Sequence, residues 1–283
     1  MVEGAQALAE NAEKLASFPE VAFRVDEVLA DDKSSASDIG ALIEPDPALS
    51  AALLRIANSA AYGFYGPVDS VETAVRVVGS REVRDLTYAI SATETFKGVP
   101  NELVTVEDFW RHSLYCGVAA QYLAKSARVC HGTSLFTAGL LHDIGQLVMF
   151  NQCPDLSKEA LLRSLDLEDG RATWLAEREV FGFDHMAVGA ELANCWNFPD
   201  ALCEAIAWHH TPFQSNTPSD VATVVHVANS IAVLAELDSD NLDDAPAINE
   251  RATEKLGVTA ETLVEMIEST QEAGAELLSL FVD

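Results

Sequence analysis

SLFTAGLLHDIGQLVMF, residues 134–150, is apolar along nearly its whole length, yet it carries an imidazole and a carboxylate side by side at His142 and Asp143. The run reads as a core helix. Burying that pair costs several kcal/mol unless a metal ion or a hydrogen-bond partner compensates, so the doublet predicts one or the other.

Outward from this stretch the same 3.6-residue apolar periodicity continues in both directions, with no alternating strand pattern and no Asn-Gly hairpin turn. The fold is predicted to be all-α. Helix starts are expected at Asp46, with Pro47 in the first helical position, at Ser70 before VETAVRVV, at Ser80 before REVRDLTYAI and at Thr105 before VEDFWRHSLYCG. Gly79, Gly98 and Gly257 read as helix stops. The periodicity breaks at KGVPNELV, residues 97–104, which divides the chain into a helical lobe at 1–100 and a second lobe at 101–236. An acidic, mobile loop and a C-terminal helical tail are expected at 237–283.

The chain has 283 residues, and 17 basic against 45 acidic residues give a net charge of −28. Such a surface repels phosphate backbones and anionic lipid, which argues against nucleic-acid or membrane partners. No apolar run reaches the roughly 20 residues of a membrane span, and the N-terminus lacks the basic start of a signal peptide, so a cytoplasmic protein is expected. Five cysteines, at 116, 130, 153, 195 and 203, form no C-x-x-C pair and do not read as a disulfide framework. Cys116, Cys195 and Cys203 read as small buried hydrophobes.

All seven histidines fall between residues 112 and 226. His112 lies in the middle of a long helix, His185 just inside a helix capped by Asp184, and His209-His210 at the end of another. Inward histidines from several helices around a shared carboxylate are how bundles build metal sites, with Asp143 able to bridge two ions. Imidazole and carboxylate suit iron, manganese or zinc. Such a centre is suited to phosphoester hydrolysis, in which the ions hold the charge developing on phosphorus. Taken singly, each residue reads more simply as a hydrogen-bonded core histidine, and His131 and His226 are expected to be that. Asn58-Ser59-Ala60-Ala61-Tyr62 reads as a helix C-cap rather than a docking groove, and Trp110, Trp174, Trp196 and Trp208 read as packing residues.

The segments FPEV (18–21), IEPDPALSAALLRIANSAAYG (43–63), SVETAVRVVGSREVRDL (70–86), FWRHS (109–113), AGLLHDIG (138–145), EREVFGFDHMAVGAELANCWNFP (177–199) and AIAWHH (205–210) occur in this order. With them the chain, over roughly residues 15 to 235, resembles the HDOD (HD-related output) domain family of the HD phosphohydrolase superfamily. The resemblance implies an N-terminal helical subdomain packed on an HD-like helical bundle, serving bacterial signal transduction with a separate protein partner. It matches His112, His142, Asp143, His185, His209 and His210 to the superfamily's metal ligands, Asp143 being the bridging ligand of any active centre. Three positions depart from the pattern. Asn229 stands where the last ligand is an Asp, Gln146 where HD-GYP relatives carry a Lys, and TPFQSN (211–216) where they carry the GYP loop. The expectation is therefore a signalling module with a metal pocket and little or no catalysis. The competing expectation is a metal-dependent phosphohydrolase acting on a nucleotide or other phosphoester.

Overall fold

The computed structural model describes residues 4–15, 20–29, 33–59, 66–95, 104–127, 135–164, 172–215 and 219–281, and these are helical with no strand among them. Helix α1 (Ala5–Leu15) is followed by α2 (Glu20–Leu29), α3 (Ala36–Ile43), α4 (Pro47–Asn58), α5 (Val71–Val78) and α6 (Ser80–Thr95), of which α2 to α6 pack on one another. Asp46 caps α4 by accepting the amides of Ala48 and Leu49, and Ser70 caps α5 by accepting that of Thr73. Ser80 differs from expectation: it is the first residue inside α6, and the Val83 amide donates to the Gly79 carbonyl at 3.0 Å. Gly79 therefore ends one helix at φ 101° and opens the next, a junction that its lack of a side chain permits. Asn58 fastens the end of α4, its side chain donating to the Val68 carbonyl and accepting the Val68 amide, both at 2.8 Å. Ser59 donates to the Ile56 carbonyl. Tyr62, Gly98 and Pro100 lie outside the described residues.

Helix α7 (Val106–Ala127) packs against α8 (Leu135–Leu141), α14 (Asp220–Leu237) and α16 (Ala260–Phe281). Around them run α9 (Ile144–Gln152), α10 (Pro154–Ser164), α11 (Ala172–Phe181), α12 (His185–Cys195), α13 (Asp200–Trp208) and α15 (Glu250–Leu256). Helix α14 is buried on nearly every face, since α7, α13 and α16 surround it. Among the described residues it alone is long and apolar enough to cross a membrane, and 78% of that window is buried inside the protein, as in a core helix.

Both ends of the chain join this bundle. Helix α1 packs on α12 and α9, and Gln152 donates to the Leu8 carbonyl at 2.9 Å. At the other end α16 lies on α7 at Gly274, where an added Cβ would come within 2.8 Å of the Tyr115 ring. Between α14 and α15 the acidic stretch forms a short 3-10 turn (Leu242–Asp244), with Ser239 and Asn241 donating to the Asp244 carboxylate.

Candidate metal centre

The doublet does not lie within one continuous helix. Helix α8 ends at Leu141, His142 and Asp143 form a turn, and α9 begins at Ile144. Asp143 holds the N-cap position at φ −99° and ψ 13°, and its carbonyl accepts the Gln146 amide at 2.8 Å. Its carboxylate makes no cap hydrogen bond. An N-cap Asp ordinarily spends an oxygen on the helix amides; this one keeps both oxygens for the interior while the positive end of α9 stands behind its charge.

Two pairs of glycines bring the neighbouring helices to this turn. A Cβ on Gly139 would lie 2.6 Å from the Cys116 carbonyl oxygen, so α8 rests directly on the α7 backbone beside Gly117. A Cβ on Gly145 would lie 2.0 Å from the His185 carbonyl oxygen and 2.6 Å from the Gly189 nitrogen. Only hydrogen at 145 lets α12 come close enough to set its first residue, His185, against Asp143.

The imidazoles are fixed by their outer nitrogens. His142 Nδ1 donates to the Gly139 carbonyl at 2.6 Å and His209 Nδ1 to the Ile206 carbonyl at 3.0 Å. His185 Nδ1 lies 2.6 Å from Glu177 Oε2, which also accepts the His185 backbone amide at 2.9 Å. His112 Nδ1 lies 3.2 Å from Glu236 Oε2. In the neutral rings these contacts assign the proton to Nδ1 and turn each Nε2 lone pair toward the centre.

There the four Nε2 atoms divide between the two oxygens of Asp143. His185 and His209 each lie 3.2 Å from Oδ1; His142 lies 3.2 Å and His112 3.9 Å from Oδ2. Ligand atoms of Asp143, His185, His209 and His210 fall within 4.8 Å of one another, as do those of His112, His142 and Asp143. The five histidines singled out from the sequence thus gather around the carboxylate of the sixth residue, Asp143. His210 also stacks on Trp174, with ring centroids 6.2 Å apart.

This donor set fits divalent metal. Two donors each about 2.1 Å from a common ion lie about 3.0–3.4 Å apart at ordinary coordination angles. The Nε2 atoms of His185 and His209 are 3.2 Å apart in a fully buried position, a spacing that either a shared proton or a shared ion fills. His142 Nε2 and Asp143 Oδ1 are buried and in no hydrogen bond. Within the protein alone, protons must do what an ion would do. Burial works against a charge on His185 and His142, but the carboxylates outweigh it. Glu177 and Asp143 lift His185 to about 10, and Asp143 holds His142 well above the ordinary value. Asp143 is itself buried, yet His142 and His185 keep it well below the carboxylate range. Burial presses His209 down to about 4 and, with the neighbouring rings, holds His210 well below its usual value.

A cavity of about 240 Å³ opens over the centre, floored by His112, Asp143, Gln146 and His210 and walled in part by Phe109 and Asn229. No Lys or Arg lines it among the described residues. Asn229 and Gln146, singled out as departures, both face this space.

An HDOD domain family model matches residues 15–212. The chain belongs to the HDOD domain family. This HDOD chain is 26% identical over 208 residues to an uncharacterized protein of Treponema pallidum, and the aligned region spans 73% of the chain but 39% of that relative's length. A solved Shewanella amazonensis protein provisionally named a phosphohydrolase is 26% identical with a TM-score of 0.74, covering 98% of both chains. An HDOD domain protein of Geobacter sulfurreducens, 22% identical, shares the fold with a TM-score of 0.77 and 98% coverage of both chains.

The remaining histidines and the cysteines sort separately. His226 is a bonded core residue, its Nδ1 donating to the His209 carbonyl at 2.8 Å and its Nε2 accepting the Asn249 amide at 3.0 Å. His131 and Cys130 lie outside the described residues. Cys116 is buried, whereas Cys195 and Cys203 are half-buried, since their helices present those faces near the surface. Trp110, Trp174 and Trp196 are buried in the packing and Trp208 is partly so. Two participants were absent from the sequence reading, the carboxylates of Glu177 and Glu236. Glu177 opens the quoted EREVFGFDH segment, and Glu236 follows Asn229 by two helical turns on α14, so their faces were readable although their partners were not.

Proposed function

We propose that this HDOD chain is a signalling module that holds divalent metal at the Asp143 pocket and acts through a separate protein partner, with weak or no catalysis of its own. The division of one carboxylate between two groups of imidazoles carries the metal reading: each oxygen of Asp143 has its own histidines at ligand spacing. Iron, manganese and zinc all accept imidazole with carboxylate. His112, His142, His185, His209 and His210 would hold the ions with Asp143, and Glu177 and Glu236 orient two of those rings. Ions so placed supply Lewis acidity toward a phosphoryl oxygen. The weak-catalysis half rests on the cavity wall, where Asn229 brings an amide in place of a second charged ligand and Gln146 brings no cation to clamp a phosphate. We place the module in the bacterial cytoplasm.

One observation favours a second reading. A carboxylate shared by two ion positions suits a hydrolase of nucleotides or other phosphoesters, and the Shewanella amazonensis relative bears such a name. Elemental analysis of the purified protein with a phosphodiesterase and nucleotidase screen, run beside Asp143→Ala, separates the two. Bound metal without turnover supports the module; turnover abolished by Asp143→Ala supports the hydrolase. A protein that refuses Mn²⁺ and Fe²⁺ in a thermal-shift titration ends both.

A further inference from the structure

The two halves of the centre are unequally built. On the Oδ1 side of Asp143, three imidazoles and one carboxylate oxygen make a four-donor group, and the His185 and His209 rings have no exposed surface. Glu177 backs His185 at 2.6 Å, closer than the 3.2 Å at which Glu236 backs His112 on the other side. On the Oδ2 side the group stops at His112, His142 and Asp143. His112 stands 3.9 Å from Oδ2, against 3.2 Å for the other three Nε2 atoms, with 20% of its side chain exposed; the cavity touches it and, on the other side, His210. Asn229 lines the same cavity and brings no charge. Asp143 has one negative charge for both positions, so an ion at the first position leaves less for the second, and like charges oppose double loading.

We propose that the centre loads in two unequal steps: a resident ion among His185, His209, His210 and Asp143 Oδ1, then an exchangeable ion among His112, His142 and Asp143 Oδ2. This rests on the metal reading above and adds an order and a selector to it. Asn229 is the selector, because an acid at that place on the cavity wall would give the three-donor half a further charged donor. The three-donor half then responds to the free concentration of a divalent cation while the four-donor half keeps its ion.

Equilibrium dialysis of the full chain against Mn²⁺, with bound metal counted by elemental analysis and by electron paramagnetic resonance, tests the order. One ion should survive gel filtration, and the second should bind at least about tenfold more weakly. His112→Gln should remove only the weak ion, and His209→Gln or Glu177→Gln should weaken the retained one. Asn229→Asp should tighten the weak ion by about tenfold or more. Circular dichroism identical to wild type qualifies each variant, and Glu177→Gln stands in if His209→Gln does not fold. Two ions of equal affinity, loss of the retained ion in His112→Gln, or an unchanged weak ion in Asn229→Asp would overturn the unequal order and leave the metal reading standing. No bound ion at any concentration would overturn the metal reading itself.

Discussion

Glu177 Oε2 holds His185 twice, 2.6 Å from the ring Nδ1 and 2.9 Å from the backbone nitrogen of the same residue. One carboxylate oxygen thus fixes both the start of α12 and the direction in which its first side chain points. Glu177→Gln keeps the shape and removes the charge. The expected result is a fall in Mn²⁺ affinity of about 10–100-fold with the helical content unchanged, read by isothermal titration calorimetry and circular dichroism. Wild-type affinity in this variant would show that Glu177 does no more than cap the helix.

Gly145→Ala tests the helix contact that delivers His185. With the His185 carbonyl oxygen 2.0 Å from the new Cβ, α9 and α12 must part, at a cost of about 1–3 kcal/mol in unfolding free energy. Metal binding should suffer more than stability does, because the separation acts directly on the distance between His185 and Asp143. Urea denaturation together with metal titration measures both. Gly4→Ala, with nothing within 4 Å of its added Cβ, is the control and should leave both unchanged.

Metal affinity should rise with pH. With His185 lifted to about 10 and His142 raised in the same direction, both rings carry protons in the metal-free protein at neutral pH. An ion must displace those protons, while His209, pressed down to about 4, offers a free lone pair throughout. Calorimetry in buffers of different ionisation enthalpy should therefore record proton release near neutrality. The same raised value has a stability consequence for the metal-free protein. His185 contributes fully below its unfolded value of about 6.5, and that contribution fades as pH climbs toward about 10. A metal affinity that stayed flat from about pH 6 to 9 would contradict this proton competition.

His226→Leu should loosen the C-terminal segment. It leaves the His209 carbonyl and the Asn249 amide without their partner, at about 1–3 kcal/mol for each group that stays buried. Hydrogen exchange should accelerate at the Asn249 amide, while amides in the middle of α7 stay protected. Equal protection of Asn249 in both proteins would show that α15 is held by its other contacts alone.

The helical class and the meeting of six ligand-type residues were legible because each depends on local signals, namely apolar periodicity, caps at Asp46 and Ser70, and the order of short motifs. The break at His142-Asp143 was not. No Pro or turn dipeptide marks it; the turn is imposed from outside, by the approach of α7 at Gly139 and of α12 at Gly145. Glu236 was illegible for a related reason, since its partner His112 lies 124 positions away and only the crossing of α14 with α7 joins them. Glu177 stood inside a quoted segment, but nothing in its spacing says that its oxygen turns toward His185 rather than toward solvent. The residues reserved for a tail became packing for α7 and α14, because a 22-residue amphipathic helix such as α16 has an apolar face to bury.

The family-matched stretch closes at residue 212, whereas Asn229, Val233 and Pro246 help to wall the cavity and Glu236 steadies His112 from beyond it. A fragment trimmed to the matched residues would discard α14, a helix buried along most of its length, and leave the inner faces of α7 and α13 open to water. For this chain the packed unit reaches beyond the matched stretch, and a sound expression boundary must fall after α16.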